Sequence, residues 1–137
     1  MNRGEPSRLT CALHEWTGPD DVAWVGFTGR VEMDTAPAFR RQLEKLVQSQ
    51  PRGLVVELTG VTYMDSAGVA VLVECLRWCR ERGVDLVLLK PSKAVHESME
   101  IVNLADAFEE VEDAPALQER FAQVNKRAQR RSHVQGA

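Results

Sequence analysis

The sequence predicts an α/β fold, an α+β sandwich with a mixed, mainly parallel sheet of four to five strands and about four helices. Two apolar runs, Leu54–Leu58 and Val84–Leu89, flank a helical segment that follows Asp65 and stops at Gly83. A strand, a helix and a second strand with short connections form a right-handed unit with parallel strands. A Gly-Pro-Asp-Asp turn signal at residues 18–21 joins two earlier strands, so the sheet is expected to begin as an antiparallel hairpin.

The first two strands come early in the chain. Residues 1–8 are mostly polar and are expected to be a flexible N-terminus. One strand is predicted over Leu9–His14 and a second over Val22–Thr28. Because side chains alternate along a strand, the second strand has one apolar face and carries Trp24 on the other. That apolar face consists of Ala23, Val25 and Phe27.

A first helix is predicted after the segment 29–35. Asp34 or Thr35 can cap its N-terminus, and Pro37 is tolerated in its first turn. Pro51 and Gly53 are expected to end it. Its apolar residues recur at helical spacing and share one face: Ala36, Phe39, Leu43, Leu46 and Val47.

The central strand–helix–strand unit is predicted in more detail. A loop that holds Gly60 is expected after the strand at 54–58, and the long helix is expected over Ala67–Arg82. Glu74, Arg77 and Arg80 are expected to face solvent. The predicted core residues of this helix are Val69, Leu72, Val73 and Leu76.

The C-terminal part is predicted to add a helix, a short strand and a last helix. Ser92 is expected to cap a helix that runs through Val102, and Phe108–Val111 to form the strand. Asp113 can cap the last helix. The apolar residues of the two helices are Val95, Met99 and Val102, and then Leu117, Phe121 and Val124. One domain over 9–125 is therefore expected, followed by a basic tail at 126–137.

Composition restricts the classes of function. The chain has 137 residues and a net charge of −3, which argues against a general nucleic-acid-binding protein. No apolar run reaches the length of a membrane span, so we expect no membrane insertion and a cytoplasmic protein. The three cysteines have neither CxxC nor paired spacing, so we expect no disulfide framework, zinc site or other metal centre.

The signatures of common enzymes are missing from the sequence. It contains no Walker A motif, no GxGxxG after a strand and no HExxH. Ser66 does not lie in a GxSxG elbow, and within the predicted core only His14 and His96 could act as a base. We therefore expect neither an enzyme nor a cofactor. The four cations of the tail are interpreted as a solvated helix end.

Ser66 lies where the central strand meets the long helix. Free backbone N–H groups and the helix dipole favour an anion at such a position. The serine can serve only as the N-cap of the helix, or it can carry a phosphate. The residue pattern alone leaves both interpretations open.

Two segments resemble the STAS domain, the fold of bacterial anti-sigma factor antagonists. Residues 29–37, GRVEMDTAP, are similar to the GELD-x-x-TAP stretch of the family. Residues 58–68, LTGVTYMDSAG, are similar to its L-x-x-V-x-x-x-D-S-x-G stretch. The likeness extends over about residues 9 to 125. It departs from the family at Arg30-Val31-Glu32, which stands in place of Glu-Leu-Asp.

The resemblance implies a phosphorylation-controlled binding switch. In this family the serine of DSxG is phosphorylated by a partner anti-sigma factor that is also a serine kinase, and the unphosphorylated form binds that partner. Ser66 is then the implied phosphoacceptor, and Gly68 would allow the partner to approach the first helical turn. The implied partner-binding residues are Glu32, Asp34, Thr35, Tyr63, Met64, Asp65, Ser66, Ala67 and Gly68.

The resemblance also leaves a second function open. Similar STAS domains are cytoplasmic subunits of lipid-transport ABC systems, where they pack on the permease and ATPase without a kinase. A serine at position 66 favours the switch over the transporter subunit. A scaffold within a larger stress-sensing assembly is a third possibility.

Overall fold

The computed structural model describes residues 8–16, 18 and 21–122. The predicted flexible N-terminus, the basic tail and Val124 therefore lie outside the described residues, apart from Arg8. The strands are β1 (Thr10–His14), β2 (Val22–Val31), β3 (Gly53–Met64), β4 (Asp85–Leu89) and β5 (Glu110–Val111). The helices are α1 (Ala36–Gln48), α2 (Ser66–Arg82), α3 (Lys93–Ile101) and α4, which covers 114–122 within the described part; a 3₁₀ turn spans Ala105–Ala107.

The five strands form one sheet in the order β1-β2-β3-β4-β5. β1 is antiparallel to β2, and the other neighbouring strands are parallel. This confirms the predicted mixed, mainly parallel sheet. Successive right-handed crossovers in one direction along a sheet place their helices on the same face. Accordingly α1, α2 and α3 contribute to one core, whereas α4 packs on the opposite face.

The two cores follow the alternation of the strands. Val25, Phe27, Leu54, Val56 and Leu88 face the core beneath the three helices. The intervening residues Val22, Val55 and Val87 face the second core, with Leu117 and Phe121 of α4. Trp24 packs against this second core, so the predicted separation of Trp24 from Val25 and Phe27 is confirmed.

β3 is longer than predicted, because the expected loop around Gly60 continues the strand through Met64. β2 likewise continues to Val31. The last pair between β3 and β4 joins Glu57 to Leu89. Beyond it β3 pairs with β2 alone, through two register shifts. The sequence did not predict this second half of β3, because polar threonines interrupt the apolar run. The glycine at position 60 also weakens the strand pattern.

Two apolar residues assigned to the core are exposed. Val73 of α2 is 40% exposed and Val102 after α3 is 42% exposed. The buried arc of α2 includes Cys75 and Cys79 instead of Val73, because α2 packs against α1 as well as the sheet. Val102 falls beyond the last residue of α3, where the chain enters a turn.

Candidate functional site

Asp65, not Ser66, is the N-cap of α2. The backbone of Asp65 is extended, with φ −98° and ψ −173°, and its side chain lies over the first turn of the helix. Asp65 Oδ1 accepts hydrogen bonds from the backbone N–H groups of Ala67 (2.9 Å) and Gly68 (3.2 Å). Ser66 is the first residue of the helix. The interpretation of Ser66 as the N-cap is therefore wrong, and the helix-end amides already hold a carboxylate.

The same carboxylate joins two segments that resemble the family. Asp65 Oδ2 accepts a hydrogen bond from the backbone N–H of Met33 at 3.0 Å. The Asp65 N–H in turn donates to the carbonyl oxygen of Val31 at 3.0 Å. One acid thus caps α2 and fixes the loop between β2 and α1 beside Ser66. This contact and the pairing of β2 with β3 bring the two segments together.

The loop before α1 is held by Thr35. Its hydroxyl donates to the carbonyl oxygen of Arg30 at 2.8 Å and accepts from the Glu32 N–H at 3.0 Å. Thr35 occupies the N-cap position of α1 but makes no side-chain cap bond, since its hydroxyl is used within the loop. The expected capping role of Asp34 or Thr35 side chains is therefore wrong. Asp34 is exposed in this loop.

Arg30 stands where the family pattern has an acid, and it interacts with two candidate docking residues. Its Nε lies 3.3 Å from Glu32 Oε2. Its Cζ lies 4.3 Å from the centroid of the Tyr63 ring. The charge of Glu32 is therefore offset within the chain itself, and Tyr63 is fixed as a half-exposed ring.

Ser66 is exposed. Among the described residues no side-chain hydrogen bond engages its hydroxyl. The hydroxyls of Ser92 and Ser98 are instead occupied, since they donate to the carbonyl oxygens of Val61 (2.6 Å) and Met64 (2.5 Å). Of these three serines, only Ser66 presents a free hydroxyl to a partner.

Exposed apolar side chains surround this serine. Tyr63 is 40% exposed, Ile101 83% and Val102 42%, and all three line a groove of about 460 Å³ that also includes Ser66. Met33, whose N–H binds Asp65, is 77% exposed. Sequence reasoning did not place Ile101 at this surface, and it assigned Val102 to the core. The available signal was that Ile101 lies in the last turn of α3 but not on the helix face that Val95 and Met99 bury, which indicates an exposed apolar side chain.

Two of the expected docking residues face inward. Met64 is 2% exposed, and Gly68 is buried. A Cβ atom at position 68 would lie 2.7 Å from Met64 Cγ and 2.7 Å from Val31 Cγ1. The glycine therefore permits α2 to pack closely on β2 and β3. The expectation that it keeps the surface open for a partner is wrong, and Ala67 beside it is half-buried.

The described residues contain no group of three or more His, Cys, Asp or Glu placed to hold a metal ion. Cys11, Cys75 and Cys79 are free thiols. A contact with Cys79, together with burial, raises the pKa of the Cys75 thiol. In this part of the chain, no helix combines the length and the hydropathy that crossing a membrane requires.

Comparison with known proteins supports the resemblance. The profile of the STAS domain family matches residues 15–119. The anti-sigma-B factor antagonist of Listeria monocytogenes is 35% identical over 81 residues, which cover 59% of this chain and 71% of that protein. The corresponding antagonist of Staphylococcus aureus is 29% identical over 92 residues, which cover 67% and 85%.

A solved structure shares the fold. The crystal structure of an anti-sigma factor antagonist from Mycobacterium paratuberculosis superposes with a TM-score of 0.66 at 23% identity. The match covers 81% of this chain and 92% of that one. With the family profile spanning most of the described residues, the chain belongs to the STAS domain family.

Proposed function

We propose that this protein is an anti-sigma factor antagonist controlled by phosphorylation of Ser66. Its unphosphorylated form binds an anti-sigma factor that is also a serine kinase, and thereby frees the sigma factor. The observation that carries the proposal is the exposed hydroxyl of Ser66, at a strand–helix junction that Asp65 holds by hydrogen bonds. The names of the curated relatives support the same function.

The geometry suits a phosphoacceptor. In the proposed reaction the Ser66 oxygen attacks the γ-phosphorus of ATP bound to the kinase, and a base of the kinase takes the hydroxyl proton. The bond to ADP breaks, and the phosphoryl group stays on Ser66. Phosphoryl transfer depends mainly on positioning. The two Asp65 bonds to the α2 amides and the bond to Met33 provide that positioning.

Phosphorylation adds a charge of about −1.5 to −2. The N–H groups of Ala67 and Gly68 already bind Asp65, so a phosphate gains little from these helix-end donors. Its charge stays on the exposed surface and next to a carboxylate. A partner would have to desolvate this dianion on contact, which opposes binding. The fold itself is expected to change little.

The proposed partner-binding surface combines the expected docking residues with exposed apolar ones. Glu32, Asp34, Thr35, Tyr63 and Asp65 lie around Ser66 on the β2–α1 loop and the end of β3. A function as a transporter subunit on a permease and ATPase is not favoured, because the curated relatives are named as antagonists. As a binding switch for a transcription regulator, the protein is assigned to the cytoplasm and needs no catalytic group of its own.

The test uses the anti-sigma factor serine kinases encoded in the genome of the same organism. Each kinase is purified and incubated with the protein and ATP, and the product is mapped by mass spectrometry. We expect one phosphate on Ser66 and none on Ser66→Ala. Ser49 is also exposed, so Ser49→Ala is the matched control and should accept phosphate normally. A phosphate on Ser92 or Ser98 with Ser66 unmodified would overturn the assignment.

A further inference from the structure

The groove beside Ser66 extends well beyond the two segments that resemble the family. One wall consists of Tyr63, Ser66 and Val69, and the opposite wall is formed by α3 with Ala94 and Ile101. Ile101 is 83% exposed. Among the described residues, the set of exposed large apolar side chains also includes Val102 and Tyr63, which line the same groove. Apolar side chains gathered around one concavity are typical of a binding surface.

The groove is held open by hydrogen bonds. The Ser92 hydroxyl donates to the carbonyl oxygen of Val61 and accepts from the Val95 N–H, so the start of α3 is fixed to β3. The Ser98 hydroxyl donates to the carbonyl oxygen of Met64, two residues before Ser66. The distance between α3 and the Ser66 junction is therefore set before any partner binds, and a preformed groove reduces the entropic cost of binding.

We infer that this groove receives an apolar anchor side chain of the anti-sigma factor kinase, and that Ile101 and Val102 are docking residues of this chain. The inference rests on the proposed function, because a kinase that phosphorylates Ser66 must cover the surface around it. A standard interface buries about 800 Å² per partner, a patch with a radius of roughly 16 Å. Ser66 lines the groove itself, so the groove lies beneath any such partner.

The charges around the groove specify the anchor further. Asp65 and Glu97 bring carboxylates to its lining, and within the described part of the chain no Lys or Arg lines it. Glu97 has Lys93 at 3.8 Å, at the exposed start of α3. An apolar side chain flanked by Lys or Arg is the complementary feature of the partner, because opposite charges at an interface rim speed association and select partners.

The test measures the affinity of the kinase, identified by its phosphorylation of Ser66, for Ile101→Glu and for a matched control. Leu13→Glu is that control, because Leu13 is 67% exposed on β1 and does not line the groove. We expect Ile101→Glu to raise Kd about 30-fold or more, as for a central anchor contact. Leu13→Glu should stay within about twofold of the wild type, as a surface change away from the interface. Ile101→Ala should give an intermediate loss.

Both side chains are exposed, so neither variant is expected to have a folding defect. Unfolding curves of the variants check this. If Ile101→Glu binds within about threefold of the wild type, the groove is not the anchor site, although the function proposed for Ser66 stands. If Ile101→Glu and Leu13→Glu weaken binding equally, the effect is one of net charge and the inference is wrong. If no kinase phosphorylates or binds the wild type, the proposed function and this inference fail together.

Discussion

Gly68→Ala tests whether position 68 is governed by packing within the fold. The added Cβ would lie 2.7 Å from Met64 Cγ, 2.7 Å from Val31 Cγ1 and 3.3 Å from Val31 Cβ. Val31 is fully buried and Met64 nearly so, so neither can move into solvent. Overpacking of this kind costs about 1–3 kcal/mol. Two contacts at 2.7 Å with buried side chains place the cost in the upper part of this range, at about 2–3 kcal/mol. Alanine recovers about 1 kcal/mol of helix propensity relative to glycine, which leaves a net loss of about 1–2 kcal/mol.

The assay is thermal and urea unfolding followed by circular dichroism. For a domain of this size, about 1 kcal/mol corresponds to a shift of about 4 °C, so the midpoint should fall by about 4–8 °C. Ala70→Leu is the control, because Ala70 is exposed in the same turn of α2, and it should change the free energy of unfolding by less than about 0.5 kcal/mol. An unchanged or higher midpoint for Gly68→Ala would refute the packing argument.

A double-mutant cycle locates the clash. Val31→Ala removes the Cγ1 atom that the new Cβ meets, although it leaves a cavity when made alone. The two changes together should cost less than the sum of the single changes, with an interaction of about 0.5 kcal/mol or more. Simple additivity would mean that the strain lies elsewhere.

Three further changes test other parts of the account. Asp65→Ala removes the cap of α2 and should lower the free energy of unfolding by about 1–2 kcal/mol; a loss below 0.3 kcal/mol in urea titrations would contradict the capping role. Arg40 hydrogen-bonds Glu74 and lowers the pKa of that carboxyl, so this pair stabilises the fold above the ordinary carboxyl pKa. Glu74→Gln should therefore be slightly less stable than the wild type at pH 7, and the difference in stability should vanish as acid protonates Glu74. A difference that does not change with pH would refute the stabilising role of this ion pair. Phe121→Ala should cost about 3–5 kcal/mol, and a loss under 1 kcal/mol would show that α4 is not part of the core.

The sequence predicted the order of elements well, because the information lay in local patterns. Apolar runs marked β3 and β4, and a left-handed Gly83, with φ 70°, ends α2 as expected. Ser92 caps α3 as predicted. The predicted apolar face of α1 is buried at Phe39, Leu43 and Val47. Each of these features depends on residues that are close together in the sequence.

The errors concern contacts between distant segments. The second half of β3 is a strand because β2 extends beside it. Residues 59–64 contain no local pattern that predicts this pairing. Asp65 displaced Ser66 as the cap, since both residue types favour that position and only the structure shows which carboxylate or hydroxyl reaches the amides. The exposure of Ile101 depends on where α3 ends against the sheet. The composition of the segment does not determine this.

The central claim is that a phosphate on Ser66 switches partner binding without changing the fold. The most direct measurement is a calorimetric titration of the kinase with the unmodified protein, the phosphorylated protein, Ser66→Asp and Ser66→Ala, beside their unfolding curves. We predict tight binding for the unmodified protein and Ser66→Ala, a loss of about 100-fold or more for the phosphorylated form, and a smaller loss for Ser66→Asp, with nearly equal unfolding midpoints. Equal affinity of the phosphorylated and unmodified forms, or complete loss of binding by Ser66→Ala, would contradict it.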